Sequence, residues 1–334
     1  MFRLKDSDVL NERYRSFFLC SNVLNSKRFT TFDQRRAGVA LLVTKEKIME
    51  RQRTLNLRGQ LMDLSTPQVM GIINVTPDSF YAGSRRSGEK AITERIEQIL
   101  REGGTLVDVG GSSTRPGNRL PDEAEEMERL RPALELLSKH YPQVPISVDT
   151  FRSRVARMAV EEYGAAIVND ISGGLADEQM FRTVGGLGVA YILMHISGTV
   201  ETMHEEPHYE PNVESAVADF FIRQVAALRK EGVNDIILDA GFGFSKSPED
   251  NYRLMAHCAD AFRDLGLPLL VGVSRKRMIW RLLDSSPDEA LNGTTVLNTI
   301  ALMLDGADIL RVHDVREAVE AVKLVAQIKT YLSR

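Results

Sequence analysis

Cysteine is almost absent from this chain: Cys20 and Cys258 are its two thiols in 334 residues. Two cysteines so far apart build no disulfide framework, which fits a reducing, cytoplasmic setting. No apolar run approaches the roughly 18 residues of a membrane span. The first ten residues carry acids and no apolar h-region, which argues against a secretory signal. Neither sign of charge dominates. With 42 basic and 46 acidic side chains the net charge is −4, so no surface is built to neutralise a phosphate backbone and nucleic acid is excluded as a first partner. Hydrophobic residues at 43% and charged residues at 26% are ordinary globular proportions, which excludes wholesale disorder and coiled coil. What remains is a protein for small-molecule ligands.

The chain divides into a basic, weakly patterned front segment, residues 1–62, and a long alternating body, residues 63–334. The front contains Lys27-Arg28, Arg35-Arg36 and Arg51-Gln52-Arg53, and no candidate site. Its acids, among them Asp6, Asp8, Glu12 and Glu50, argue against a transit peptide, and Met49 and Met62 are alternative starts. Residues 54–65 suggest a small strand pair leading into the body.

The body repeats one theme eight times: a short apolar, β-branched run followed by a helical pattern. The runs are 69–75, 106–109, 146–148, 166–168, 189–194, 235–238, 269–273 and 308–312. Runs without polar alternation suit strands covered on both faces, as in a parallel sheet. The helical patterns cover 89–102, 122–140, 152–163, 177–187, 213–231, 248–265, 294–304 and 315–332, with a shorter helix from about Lys276. Ser247-Pro248 with Asp250, and Asp314 with Glu317, are helix starts of capping-box type. Eight units over about 270 residues predict an α/β (β/α)8 TIM barrel as a single catalytic domain. The alternative, a doubly wound open sheet, calls for a glycine-rich turn after its first strand, and Gly71-Ile72-Ile73-Asn74 is not one.

Polar residues gather where each run stops: Asn74 and Asp78, Asp108 with Thr114 and Arg115, Asp149, Asn169 and Asp170, His195, Asp239, Ser274-Arg275-Lys276, and Arg311 with His313 and Asp314. In a barrel these carboxyl ends share one rim. Any one has a plain structural explanation, as a turn former, a helix cap or a packed histidine; eight in the same phase point to a pocket. The mixture suits a ligand with an anionic end for arginine forks and a donor-rich end for carboxylates. An ion-pair network across the rim is the competing reading. His204 and His208 have metal-ligand spacing, but Pro207 between them makes a zinc site unlikely by geometry, and no nucleophile elbow is present.

Met70-Gly71-Ile72-Ile73-Asn74-Val75-Thr76-Pro77-Asp78-Ser79-Phe80 resembles the first signature of dihydropteroate synthases, and Asp108-Val109-Gly110-Gly111-Ser112-Ser113-Thr114-Arg115-Pro116-Gly117 the second. Six shorter matches follow in order, around Asp149, Asn169, His195, Asp239, Lys276 and Arg311. The resemblance runs from about Val69 to the end of the chain. It implies condensation of 6-hydroxymethyl-7,8-dihydropterin diphosphate with 4-aminobenzoate in folate synthesis, and a sulfonamide target. It also implies that Asp108, Asp149, Asn169, Met194, Asp239 and Lys276 line the pterin slot, with Asp108, Asp149, Lys276, Arg311 and His313 serving the chemistry. Asn74, Arg311 and His313 are implied to hold the diphosphate, Asn74 through Mg²⁺. Phe80, Thr114, Arg115, Pro116 and Ser274 are implied to build the aminobenzoate pocket, and a homodimer is implied through barrel helices.

Four positions depart from the family pattern. Ser112 stands where Glu is common, Ala82 where Asp is frequent, Ala240 where Pro is frequent and Arg277 where Ser is common. Two related possibilities, a folate-dependent methyltransferase and a non-catalytic pterin binder, have no use for Arg311 and His313 or for Thr114 and Arg115. Because the front segment carries no candidate site, a protein starting at Arg51 is expected to keep its turnover. Expression without residues 1–50 checks this, and an insoluble or inactive product would show the segment to be structural.

Overall fold

The computed structural model describes residues 51–75, 85–112 and 119–332. The front segment to Glu50 and the positions of Asp78, Phe80, Ala82, Thr114, Arg115 and Pro116 lie outside the described residues. Eight parallel strands close into a barrel: β3 (Gln68–Asn74), β4 (Leu106–Gly110), β5 (Ile146–Asp149), β6 (Ile167–Asp170), β7 (Ala190–Met194), β8 (Ile236–Asp239), β9 (Leu269–Val271) and β10 (Ile309–Val312), with β10 returning to β3. Every residue of β4, β6, β7, β8 and β9 is buried, as continuous apolar runs require when helices cover one face and the barrel interior the other. The open-sheet alternative is excluded by this closure.

The helices follow the predicted order: α1 (Arg85–Arg101), α2 (Glu123–His140), α3 (Ser153–Tyr163), α4 (Met180–Leu187), α5 (Val213–Lys230), α6 (Pro248–Ala261), α7 (Arg277–Leu282), α8 (Leu291–Met303) and α9 (Val315–Leu332). Ser247 and Asp250 form the expected capping box at α6. The helical pattern from 177 begins later, at Met180, because the Asp177 carboxylate accepts from Ser153 N at 2.7 Å and Gln179 N at 2.9 Å and makes a turn first. The run 269–273 gives a shorter strand because Lys276 N bonds back to Val273 O at 3.1 Å and turns the chain onto the rim.

Ahead of the barrel, β1 (Thr54–Leu57) and β2 (Gln60–Asp63) form the strand pair. Their two-residue turn, Arg58 and Gly59, has φ of 54° and 90°, the left-handed pair that matches hairpin twist. Leu55 and Leu57, with Leu64, pack under Met70, Leu106, Ile192, Ile237, Leu270 and Ile309 and seal the amino end of the barrel. Asp235 Oδ1 accepts from Asn56 N at 3.0 Å, and Arg51 reaches Asp308 at 3.1 Å. Residues 51–62, grouped by composition with the front segment, therefore serve as the barrel's floor. Leu55→Ala should cost about 2–5 kcal/mol, the range for truncating a buried leucine, measured by urea denaturation.

Candidate active site

Strand register decides which carboxyl-end residues meet. Asp108 lies level with Ser147, Gly110 with Asp149 and with Asn74, and Asp149 with Asn169. Side chains alternate along a strand, so Ser147 and Asp149 share the inward face, one a layer deeper. Asp108 is fully buried in that deeper layer. Its Oδ1 accepts from Ser147 Oγ at 2.6 Å, and its Oδ2 accepts from Asn169 Nδ2 at 3.0 Å and from Arg311 Nε at 2.6 Å. Arg311 Nη2 donates to Asp149 Oδ2 at 2.7 Å. One guanidinium thus bridges two acids from neighbouring strands, and the arginine charge is held firmly by them. Burial, with Asp108, Glu126 and Asp170 nearby, outweighs Arg311 and pushes Asp149 up to about 7.

Gly110 leaves space between two oxygens. A Cβ there would lie 3.4 Å from Asp149 Cβ, 3.5 Å from Asp149 Oδ2 and 3.7 Å from Asn74 Oδ1, so Asn74 and Asp149 face one small hollow. Across the mouth, Asp239 is buried and receives Gly241 N at 2.8 Å; burial raises its carboxyl, with Lys276 acting against that. Lys276 Nζ bonds to the Phe242 carbonyl and lies 4.4 Å over the Phe244 ring. Burial lowers the Lys276 ammonium to about 8, partly offset by Asp239. Met194 packs with Ile171, Ile196, Met203 and Phe244 in an apolar cluster that walls this side.

His313 N donates to Ser274 Oγ at 3.1 Å, and the same hydroxyl lies 3.1 Å from His313 Nδ1. With the hydroxyl donating to Nδ1, the imidazole hydrogen sits on Nε2. Burial, then Arg311, lowers His313 to about 4, so it is a neutral imidazole at pH 7. The two residues belong to one unit, although the sequence reading put them in different subsites.

Some rim residues have other tasks. Arg275, in a left-handed conformation with φ 56°, forks onto Asp314 at 2.9 and 2.8 Å and faces away from the slot. Asp170 is engaged by Tyr191 Oη at 2.6 Å and by the amides of Ser172 and Gly174, a turn-forming role. Arg277 pairs with Glu206 at 3.1 Å and lines a cavity with Gly243, Lys246, Tyr252, Met278 and Arg281. The Ser112 hydroxyl is buried with no partner among the described residues. His208 is exposed and pairs with Glu210 at 2.8 Å, while His204 stacks on Phe244, so the two do not make a metal site. Ser147 was missed by sequence reasoning, although its spacing two before Asp149 is the strand signal for a shared face.

Residues 70–313 match the family profile described as pterin binding enzyme. The dihydropteroate synthase of Escherichia coli K12 is 41% identical over 270 residues, 80% of this chain and 94% of that protein. The chain belongs to the dihydropteroate synthase family. Among solved structures, the Xanthomonas albilineans dihydropteroate synthase with 4-aminobenzoic acid aligns with a TM-score of 0.75 and 35% identity, over 83% of this chain and 98% of that one. The Yersinia pestis dihydropteroate synthase with a sulfonamide drug has a TM-score of 0.75 and 37% identity, over 83% and 99%. Both alignments extend beyond the signature motifs to the barrel as a whole.

The acid–guanidinium cluster sets a pH dependence. Asp149 accepts N–H donors well only as carboxylate, so kcat/KM should fall as pH drops below about 7. A carboxyl carbon signal titrating near pH 7 in the free protein and missing from Asp149→Asn checks the assignment; a transition below pH 5 contradicts it.

Proposed function

We propose that this site joins 6-hydroxymethyl-7,8-dihydropterin diphosphate to 4-aminobenzoate, releasing diphosphate and forming 7,8-dihydropteroate. The observation that carries this reading is the pair of fully buried Asp108, knit to Asn169, and half-buried Asp149, both bridged by Arg311. A pterin presents the paired N–H donors that such acids accept, with Asn169 and Asp239 beside them. Its donors would take the place of Arg311 at the acids. The freed guanidinium then has an anion to find, and the diphosphate arm supplies it bidentately. Ring and arm would therefore bind with mutual reinforcement, one releasing the residue the other needs.

The C–O bond to diphosphate breaks as electrons pass to that leaving group, and the CH₂ left behind shares its positive charge with the electron-rich ring. Asp108 and Asp149 lie where a carboxylate stabilises that charge, while Arg311 and the Nε2–H of His313 hold the departing anion. The arylamine is neutral at pH 7, so its nitrogen attacks the carbon without a strong base, and the proton it sheds passes to water. Lys276, over Phe244, would close the acceptor side with Ser274, Phe80, Thr114, Arg115 and Pro116. We assign Mg²⁺ to the hollow beside Gly110. The donor set fits: Asn74 offers a neutral amide oxygen next to the Asp149 carboxylate, a hard-oxygen pair, and no group of three His, Cys, Asp or Glu among the described residues would hold a metal without the substrate. When bound, the ion neutralises charge on the leaving diphosphate.

No helix among the described residues is long and apolar enough to cross a membrane. A cytoplasmic location agrees with the free, buried Cys258. A homodimer is supported by an exposed apolar row, Val296 and Ile300 on α8 and Leu304 just past its end, beside Leu324, Ile328 and Tyr331 on α9.

Diphosphate release from the pterin diphosphate with Mg²⁺ should depend on 4-aminobenzoate, followed by a coupled phosphate assay. Release without the amine, or none with it, overturns the reading. Arg311→Ala should lower kcat by about 10²–10³-fold. Near-normal turnover in that variant would remove Arg311 from the diphosphate site.

A further inference from the structure

Lys246 is 2% exposed, and no step above uses it. Its Nζ lies 3.0 Å from His195 Nδ1, 3.1 Å from Gly241 O, 3.0 Å from Phe244 O and 3.4 Å from His195 O. An ammonium has three protons and no lone pair, so it can gather acceptors from several segments at once, much as a bound cation does. Here the acceptors come from the chain leaving β7 and the chain leaving β8. The two chains are pressed together: a Cβ on Gly241, at φ +69°, would lie 2.1 Å from His195 O and 3.3 Å from Lys246 Nζ.

The loop held in this way carries the surroundings of Lys276. Gly241 N donates to Asp239 Oδ1, Phe242 offers its carbonyl to Lys276, and the Phe244 ring lies under the Lys276 ammonium. Gly243 approaches so closely that a Cβ there would sit 3.1 Å from Lys276 Cδ. The far end of the loop is pinned by Ser245 N to Met203 O at 2.7 Å and by Tyr209 Oη to Ser245 O at 2.5 Å. Asn251 Oδ1 receives Gly243 N at 2.6 Å.

We infer that Lys246 is a positioning residue: its buried ammonium ties the chain after β7 to the loop 240–245 and thereby sets where Lys276 and Asp239 stand in the site. Its consequence for turnover rests on the synthase reading; its consequence for the loop does not. The charged or titratable groups that bear on it are Asp239 on β8, Lys276 before α7, Asp250 on α6 and His195 after β7, with Arg223 on α5 acting on His195. Burial lowers Lys246 to about 7, against the pull of Asp239 and Asp250, while His195 stays neutral as the acceptor.

Lys246→Met fills nearly the same volume without the charge. It should keep a melting temperature within a few degrees of the parent while kcat/KM for 4-aminobenzoate falls at least tenfold, mainly through KM. A folded Lys246→Met protein with the parental kcat/KM overturns the inference, since a space-filling lysine would behave so. If that variant does not fold, the parent protein serves. Hydrogen exchange of amides 240–247, corrected for intrinsic rate, should quicken between pH 6 and pH 9 as Lys246 loses its proton, with β7 and β8 unchanged. Equal protection across that range overturns the inference. Exchange needs no turnover, so its outcome is separable from failure of the synthase reading.

Discussion

One guanidinium between two carboxylates governs this site. Three charges in a barrel mouth are tolerable only because Arg311 answers both Asp108 and Asp149, and Ser147 and Asn169 satisfy the remaining lone pairs of Asp108. Removing one member of such a cluster costs about 3–5 kcal/mol when the others stay charged, or forces a carboxyl to keep its proton. The raised Asp149 carboxyl shows the second response already under way in the intact cluster. The network was one of two readings open from the rim composition. On the proposed function it would be the state from which a ligand exchanges partners rather than creating them, so the ring alone would gain little and the anionic arm would contribute much of the affinity.

The order of eight strands and the rim residues were legible because each carries a local signal. A run such as 189–194 has no polar alternation, and Asn74, Asp108, Asp149, Asn169 and Asp239 each stand where an apolar run ends. Barrel geometry then converts eight separate positions into one locus. The hairpin 54–63 was legible for the same reason, although composition grouped it with the basic front.

What the sequence withheld was direction and charge state. Arg275 and Arg311 look alike on paper, yet the left-handed backbone at Arg275 turns its fork onto Asp314, while Arg311 leans into the slot. Whether His313 is a cation or a neutral donor is decided only when burial and Arg311 are counted. Lys246 stands seven residues after Asp239 in a loop of glycines and phenylalanines, with no periodic signal to mark it. Its neighbours beyond the end of the adjacent strand, His195 foremost, exist only once β7 and β8 are paired. Long-range pairing decides each of these, and local pattern carries none of it.

The leucine floor has a steric corollary. With Leu55, Leu57 and Leu64 stopping the amino end, nothing is threaded through the barrel along its axis. Access to the charged slot is thereby confined to the carboxyl-end side, and that confinement comes from the apolar stopper at the far end of the molecule as much as from any charged group at the rim.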